Sequence, residues 1–310
     1  MQFLPTIMKK FKNEFSWSVS RDDVFNKCKR MYYFQYYGSW GGWEQEATDR
    51  TKMIYILKKL QSRQMWAGDK VHECIKKALS KIKAGIGKID TEQKIETTLN
   101  LMRKEFLNSK NKKYLTDPKS CALFEHEYEL EVSEEEWRSN ANNVVECLRL
   151  FFNSDVYEEI SQLSDNQWFE LEQFPFFYLE DFKIYAVLDF AFRRNDEIII
   201  YDWKTGRENP EKDKFQLACY SLFAIHKWNI ESAKVKLVDF YLSKDNQNEF
   251  RLEDFKIDEI QDRIMNSIIE MIDLLDNAQG NIATEERFPF TDNEQICHYC
   301  NYGKICPKKT

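Results

Sequence analysis

Hydrophobic and polar positions follow two different periods along this chain, and the change falls near residue 166. Before it, apolar residues recur at helical spacing. The pattern is helical over about 49–83, with an interruption near Gly68, and again over about 90–109. In EEEWRSNANNVVECLRLFF, Trp137, Val144, Val145 and Leu148 fall close to one helix face. LFEHEYELE fits either period. Beyond the change, WFELEQFPFFYL, FKIYAVLDFAFRR and EIIIYDWKTG predict three successive strands rich in β-branched and aromatic residues. Asn195-Asp196 fits the turn between the last two. PEKDKFQLACYSLFAIHKW predicts a helix with Pro210 in its first turn. KVKLVDFYL reads as a further strand and FRL as a short one, and a long helix is expected over about 258–277. At the other end, Ser20 is the expected N-cap of a short helix carrying Asp22 and Asp23, which Gly38, Gly41 and Gly42 bring to a close. Helices, then β-β-β-α-β, then helices: this order predicts an α/β fold with a mixed-sheet core and helical additions. We expect a single domain over 1–310, with an N-terminal segment (1–44), a helical region (45–165), the core (166–245), a second helical part (246–296) and a tail (297–310).

Composition supports a folded chain. With 31% charged residues but only 9 Gly and 6 Pro, it holds little linker material. A net charge of −7 argues against a surface coated in nucleic-acid affinity, while leaving room for a local basic groove. No apolar run reaches membrane-spanning length, so no membrane association is expected. MQFLPTIMKKFKNEF is apolar first and basic second, the reverse of a secretory signal, so a cytoplasmic location is expected. In that compartment clustered cysteines more often mean metal than disulfide. Three of the eight cysteines, Cys297, Cys300 and Cys306, close the chain as C-x2-C-x5-C, which is metal-ligand spacing but one thiolate short of a four-ligand site.

The strongest chemistry lies in VLDFAFRRNDEIIIYDWKTG. Asp202 and Lys204, two apart on a strand, leave the same face, while Trp203 points oppositely into a core. Asp189 on the preceding strand lies within reach of Asp202. Two carboxylates and a lysine on one face suit a phosphodiester hydrolase that uses Mg²⁺ or Mn²⁺, hard cations that prefer oxygen ligands. Taken alone, D-x-K is better read as a salt bridge near a strand end. Gln216 and Tyr220, four apart on the next helix, share a face. His72, four residues after Gly68, is either a metal ligand or a satisfied core imidazole. The aromatic run MYYFQYYGSWGGW is more often core than a platform for stacking bases.

Taken in order, these residues resemble the PD-(D/E)XK nuclease superfamily. Within it they resemble the iron–sulfur branch of RecB-like nuclease domains and CRISPR-associated exonucleases. The resemblance rests on S-x-S…C-x-R-x-F/Y (Ser18, Ser20, Cys28, Arg30, Tyr32), G-x-x-x-H (Gly68, His72) and an aspartate ending an apolar strand (Asp189). It continues through D-x-K-T-G (Asp202, Lys204, Thr205, Gly206), Q-x-x-x-Y (Gln216, Tyr220) and the cysteine tail. It implies a restriction-endonuclease-like core and a metal-dependent deoxyribonuclease acting on single strands or ends. His72, Asp189 and Asp202 would be metal ligands, Lys204 the catalytic lysine, and Gln216 and Tyr220 supporting contacts. Cys28, Cys297, Cys300 and Cys306 would hold a 4Fe–4S cluster, with structural zinc on the same thiolates as the alternative. Such a cluster would staple the C-terminus to the N-terminal helix, worth roughly 5–6 kcal/mol as a closed loop. The expected partner is DNA, within a larger repair, CRISPR-adaptation or phage-defence complex; a scaffolding subunit of such a complex is the competing reading. Cys74, Cys121, Cys147 and Cys219 read as buried small hydrophobes. The chain departs from the family pattern at Lys29, where proline is usual, and at Val187, where glycine often precedes the first aspartate by two. No G-x-x-x-x-G-K-S/T motif is present.

Overall fold

A computed structural model describes residues 12–86, 89–169, 175–231 and 234–308. Two short helices come first, Val19–Lys27 (α1) and Lys29–Tyr33 (α2). Ser18, not Ser20, caps α1: its extended backbone lets its hydroxyl accept from the Arg21 N–H, whereas Ser20 already lies inside the helix. Cys28 does the same for α2, its sulfur accepting from the Met31 N–H at 3.5 Å. The aromatic run that follows is chiefly core. Tyr32 and Phe34 are buried, and only Trp40 and Trp43 at its end are well exposed.

Asp49–Leu57 (α3) and Arg63–Lys83 (α4) divide at residues 58–62, where Ser62 caps the second helix. The expected break at Gly68 does not occur; Gly68 lies inside α4 for a reason of packing given below. Thr91–Lys110 (α5), Phe124–Glu127 (α6), Glu134–Asn153 (α7) and Asp155–Ser161 (α8) follow. A Ser133–Glu136 capping box starts α7. The ambiguous LFEHEYELE becomes the single turn α6.

The stretch read as one strand, FKIYAVLDFAFRR, forms two. Phe176–Leu179 (β1) and Phe182–Tyr185 (β2) make a separate antiparallel hairpin, and Phe190–Arg194 (β3) begins after an irregular step at 186–189. The Ala186 N–H still bonds the Pro175 carbonyl, in register with the β1–β2 pairing, and the chain changes sheets just after it. Of WFELEQFPFFYL, residues 176–179 form β1 and residues 170–174 lie outside those described. Glu197–Lys204 (β4) pairs antiparallel with β3 through a turn at Asn195, whose φ of 54° suits asparagine. Pro210–Trp228 (α9) crosses over to Val235–Tyr241 (β5), which lies parallel to β4, and Asn246–Arg251 (β6) completes the order β3-β4-β5-β6. Ile257–Asp273 (α10) and Glu294–His298 (α11) end the described elements.

Each face of this mixed sheet is buried under helices. Ile199, Tyr201 and Trp203 of β4 pack with residues of α4, α5, α7 and α8. Ile198 and Ile200 point the other way, into a cluster with α9, α10 and the β1–β2 hairpin. At roughly 1.5–3 kcal/mol for each large apolar side chain buried, alternation along this one strand secures both layers. The helices of the 45–165 region thus form one wall of the core. A third cluster joins Phe34, Ile54 and Leu57 to Tyr302 of the tail. Among the described residues no helix is long and apolar enough to cross a membrane.

Candidate functional site

At the end of β4 the apolar alternation gives way to charge. Asp202 and Lys204 continue the face of Ile198 and Ile200, as two-residue spacing requires. Lys204 Nζ lies 2.7 Å from Asp202 Oδ2, and its side chain is largely buried. Around it stand two further carboxylates, Asp213 at 3.3 Å on α9 and Asp239 at 3.6 Å on β5. Asp239 pairs in register with Asp202 across the parallel ladder. Neither was singled out from sequence. The signal was there for Asp239, a charge in an otherwise apolar strand; for Asp213, on the first turn of a helix, an acidic residue is ordinary.

Gln216 and Tyr220 both reach this cluster. Gln216 presents its carbonyl to Lys204 Nζ at 3.0 Å and its amide to Asp202 Oδ1 at 3.0 Å. The Tyr220 hydroxyl lies 2.8 Å from Asp202 Oδ1 and 2.8 Å from the Val187 carbonyl. It has one proton and serves one of them at a time. Val187 takes the glycine-like position without a positive φ, and its contribution is this carbonyl.

Asp189 sits at the bend before β3, one residue short of the strand on which it was expected. Its Oδ2 accepts the Trp203 N–H at 2.8 Å and its Oδ1 lies 2.9 Å from His72 Nδ1. The bond to Trp203 N holds Asp189 beside β4 at the residue between Asp202 and Lys204. His72 is brought there by α4, and Gly68 makes that approach possible: a Cβ on it would stand 2.8 Å from Thr205 Oγ1. The G-x-x-x-H pattern is therefore a contact rule, a bare backbone against the end of β4 and an imidazole one turn further on.

The electrostatics are strained. Burial, with the charge of Asp189 added, pushes Asp202 up to about 6, although Lys204 and Tyr220 pull the other way. Burial likewise lifts Asp239 to about 7, against the pull of Lys204 and with the charges of Asp202 and Asp213 adding to the rise. Its Oδ1 is buried with no hydrogen-bond partner among the described residues. Burial opposes the charge on Lys204, but Asp202, Asp239 and Asp213 outweigh it and hold the ammonium protonated. His72 is raised above its ordinary value because Asp189 outweighs burial. As placed, no three His, Cys, Asp or Glu side chains among the described residues group tightly enough to hold a metal ion. Asp202 is engaged by Lys204 and Asp189 by His72, so the expected ligands form two linked pairs. The donor set still fits a hard divalent cation, because the buried carboxylate of Asp202 and the half-buried one of Asp189, which repel each other, are stabilised by positive charge between them.

Cys28, Cys297, Cys300 and Cys306 line one pocket, together with Arg30 and Phe290. All four are free thiols. Burial pushes Cys300 up to about 11, with the charges of Cys28, Cys306 and Cys297 adding to it. Cys306 is raised by burial, with Cys28 and Cys297 also raising it. The tail carrying them is tied down by the protein itself: Asn301 Nδ2 donates to the Leu60 carbonyl at 2.8 Å, and the Tyr128 hydroxyl to the Asn301 carbonyl at 2.7 Å. Buried Arg30 donates to the Phe288 carbonyl at 2.7 Å and to Glu285 at 2.8 Å, fastening α2 to the segment before the tail. Cys74, Cys147 and Cys219 are buried as expected, while Cys121 is only half-buried.

A mixed sheet between helices thus carries an aspartate and a lysine two apart at a strand end, with a second aspartate beside them. Residues 16–307 match the PD-(D/E)XK nuclease superfamily, and the chain belongs to it. No curated protein matches the chain.

Proposed function

We propose that this protein is a divalent-metal-dependent deoxyribonuclease that processes single strands or strand ends. The observation that carries this reading is the joined set at the end of β4: Lys204 among Asp202, Asp213 and Asp239, with Asp189 held alongside by the Trp203 N–H and His72. Asp189 and Asp202, with His72, would hold Mg²⁺ or Mn²⁺. When bound, the ion supplies charge neutralisation at the phosphate and activation of the attacking water. Lys204 orients that water and stabilises negative charge as it develops on the phosphate. Asp213 and Asp239 would keep the ammonium in place beside Asp202. Gln216 and Tyr220 fix the orientation of Asp202, and the Tyr220 hydroxyl can donate instead to the Val187 carbonyl. The Asp189–His72 contact orients the imidazole, leaving Nε2 as its outward nitrogen.

The four cysteines are read as ligands of a 4Fe–4S cluster. Four free thiols lining one pocket, within electrostatic reach of one another, support a four-thiolate group; the iron-branch motif order favours the cluster over zinc. The test uses anaerobically purified protein: iron, sulfide and zinc content, then incubation with end-labelled single- and double-stranded DNA and Mn²⁺. We expect iron with sulfide and strand degradation, lost in Asp202→Ala and Lys204→Ala. Wild-type cleavage in both variants overturns the site; zinc without sulfide overturns the cluster alone.

A further inference from the structure

A groove of about 670 Å³ opens beside the Gln216–Tyr220 pair and runs past Ser18, Ser20 and Arg21 to Tyr36. Its far end carries an electrostatic anomaly. The Arg21 guanidinium lies 4.2 Å from the centre of the Tyr36 ring, and Lys58 Nζ lies 5.7 Å from the same centre. Two cations therefore share one aromatic ring. Neither forms an ion pair among the described residues; the Arg21 guanidinium donates to the Ser16 carbonyl, at 3.0 Å. Burial, with the charge of Arg21 and then Lys59 adding, pulls Lys58 down to about 8. The nearby carboxylate is already spent: Asp23 takes Lys27 at 2.8 Å and Lys212 at 3.2 Å. In an acidic chain, two half-buried cations placed together without a carboxylate are an unsatisfied demand for an anion. Ser18 and Ser20, whose hydroxyls lie 3.0 Å apart, line the route between them and the catalytic pair.

We propose that this groove seats the DNA strand beyond the scissile phosphate, with Arg21 and Lys58 gripping a backbone phosphate over the Tyr36 ring. The proposal rests on the nuclease reading for its occupant. The contact is to phosphate and carries no sequence preference. A guanidinium offers paired donors to phosphate oxygens, and the two like charges gain most when an anion lies between them. The Ser18 and Ser20 hydroxyls then serve the intervening stretch of backbone.

The test is binding of a fluorescent single-stranded oligothymidylate to the full chain without divalent ions, over a range of salt. The variants are Arg21→Gln, Lys58→Gln and their double. Each single substitution is expected to weaken binding about 5-fold or more and to lower the salt slope by about one unit, and the double by about two. Charge-retaining Arg21→Lys and Lys58→Arg are expected to keep the slope, and a slope lowered in them as far as in the glutamine variants overturns the proposal. Wild-type affinity and slope in the double variant, or no binding by the wild-type protein, overturns the proposal. A parallel cleavage assay with Mn²⁺ separates the two readings. Weakened binding in the variants with no cleavage by the wild type leaves the groove standing and removes the nuclease. Normal cleavage with unaltered binding does the reverse.

Discussion

The two chemical centres of this molecule are built on opposite plans. At the end of β4, three carboxylates crowd within ion-pair distance of Lys204, and burial lifts two of them toward neutral pH. At the cysteine pocket the groups are thiols, three of the four on a tail fastened by side-chain donors to backbone carbonyls. The first centre stores electrostatic cost and gives little back to stability, which is how buried charge behaves where chemistry needs it. The second gives up reactivity for anchorage. Removing a group should therefore have different consequences in each: activity changes without unfolding in one, and stability changes first in the other.

Asp202→Asn sets that contrast most sharply. It removes the charge that repels Asp189 while keeping the shape of the side chain, so cleavage should fall by about 10²–10³-fold or more with no drop in Tm. A parallel loss of Tm would erase the distinction between the centres. Cys300→Ser should do the opposite, costing on the order of 2–5 kcal/mol by analogy with a lost cross-link and bleaching any cluster, while cold, freshly prepared protein still cleaves. Denaturant titration beside single-turnover cleavage measures both.

Asp239→Asn sharpens the electrostatic half. An acid whose folded-state value is raised binds its proton more tightly when native, so stability falls as pH rises from the unfolded value near 4 through the folded value of about 7. The substitution removes that fall. Its gain over wild type should be absent near pH 4 and grow to at most about 4 kcal/mol above pH 7, read from urea midpoints across that range. Gly68→Ala is the smallest change. The added methyl meets Thr205 Oγ1, and its steric cost offsets a helix-propensity gain of about 1 kcal/mol, leaving Tm nearly unmoved. Cleavage should nonetheless drop several-fold as α4 and His72 shift away from Asp189, and an unchanged rate would show that the close approach is not needed.

The long periodic elements were legible in the residues alone. The helix starting at Pro210 and the strands β4 and β5 fall where their patterns predict, because each carries a strong local signal: a proline suited to a first turn, or a run of β-branched and aromatic residues. Boundaries in weaker patterns moved. Ser18 displaced Ser20 as the cap because backbone dihedrals, not residue type, decide which hydroxyl faces a free N–H. One predicted strand became β2 and β3 because pairing partners on two different sheets claimed its halves. Gly68 was read as a helix interruption although nothing local breaks there; its role depends on Thr205, far away in sequence.

Residue type and order alone carry the mixed α/β class, the shared face of Asp202 and Lys204, and the succession of motifs that marks the superfamily. These follow from periods of 2 and 3.6 and from spacing along the chain. Folding is what sets Asp213 and Asp239 around the lysine, turns Asp189 to Trp203 N and His72, and brings Arg21 and Lys58 to the Tyr36 ring. Those contacts join residues distant in sequence, and their energies depend on burial and on the distance between charges, which exist only once the sheet and its helices have closed around them.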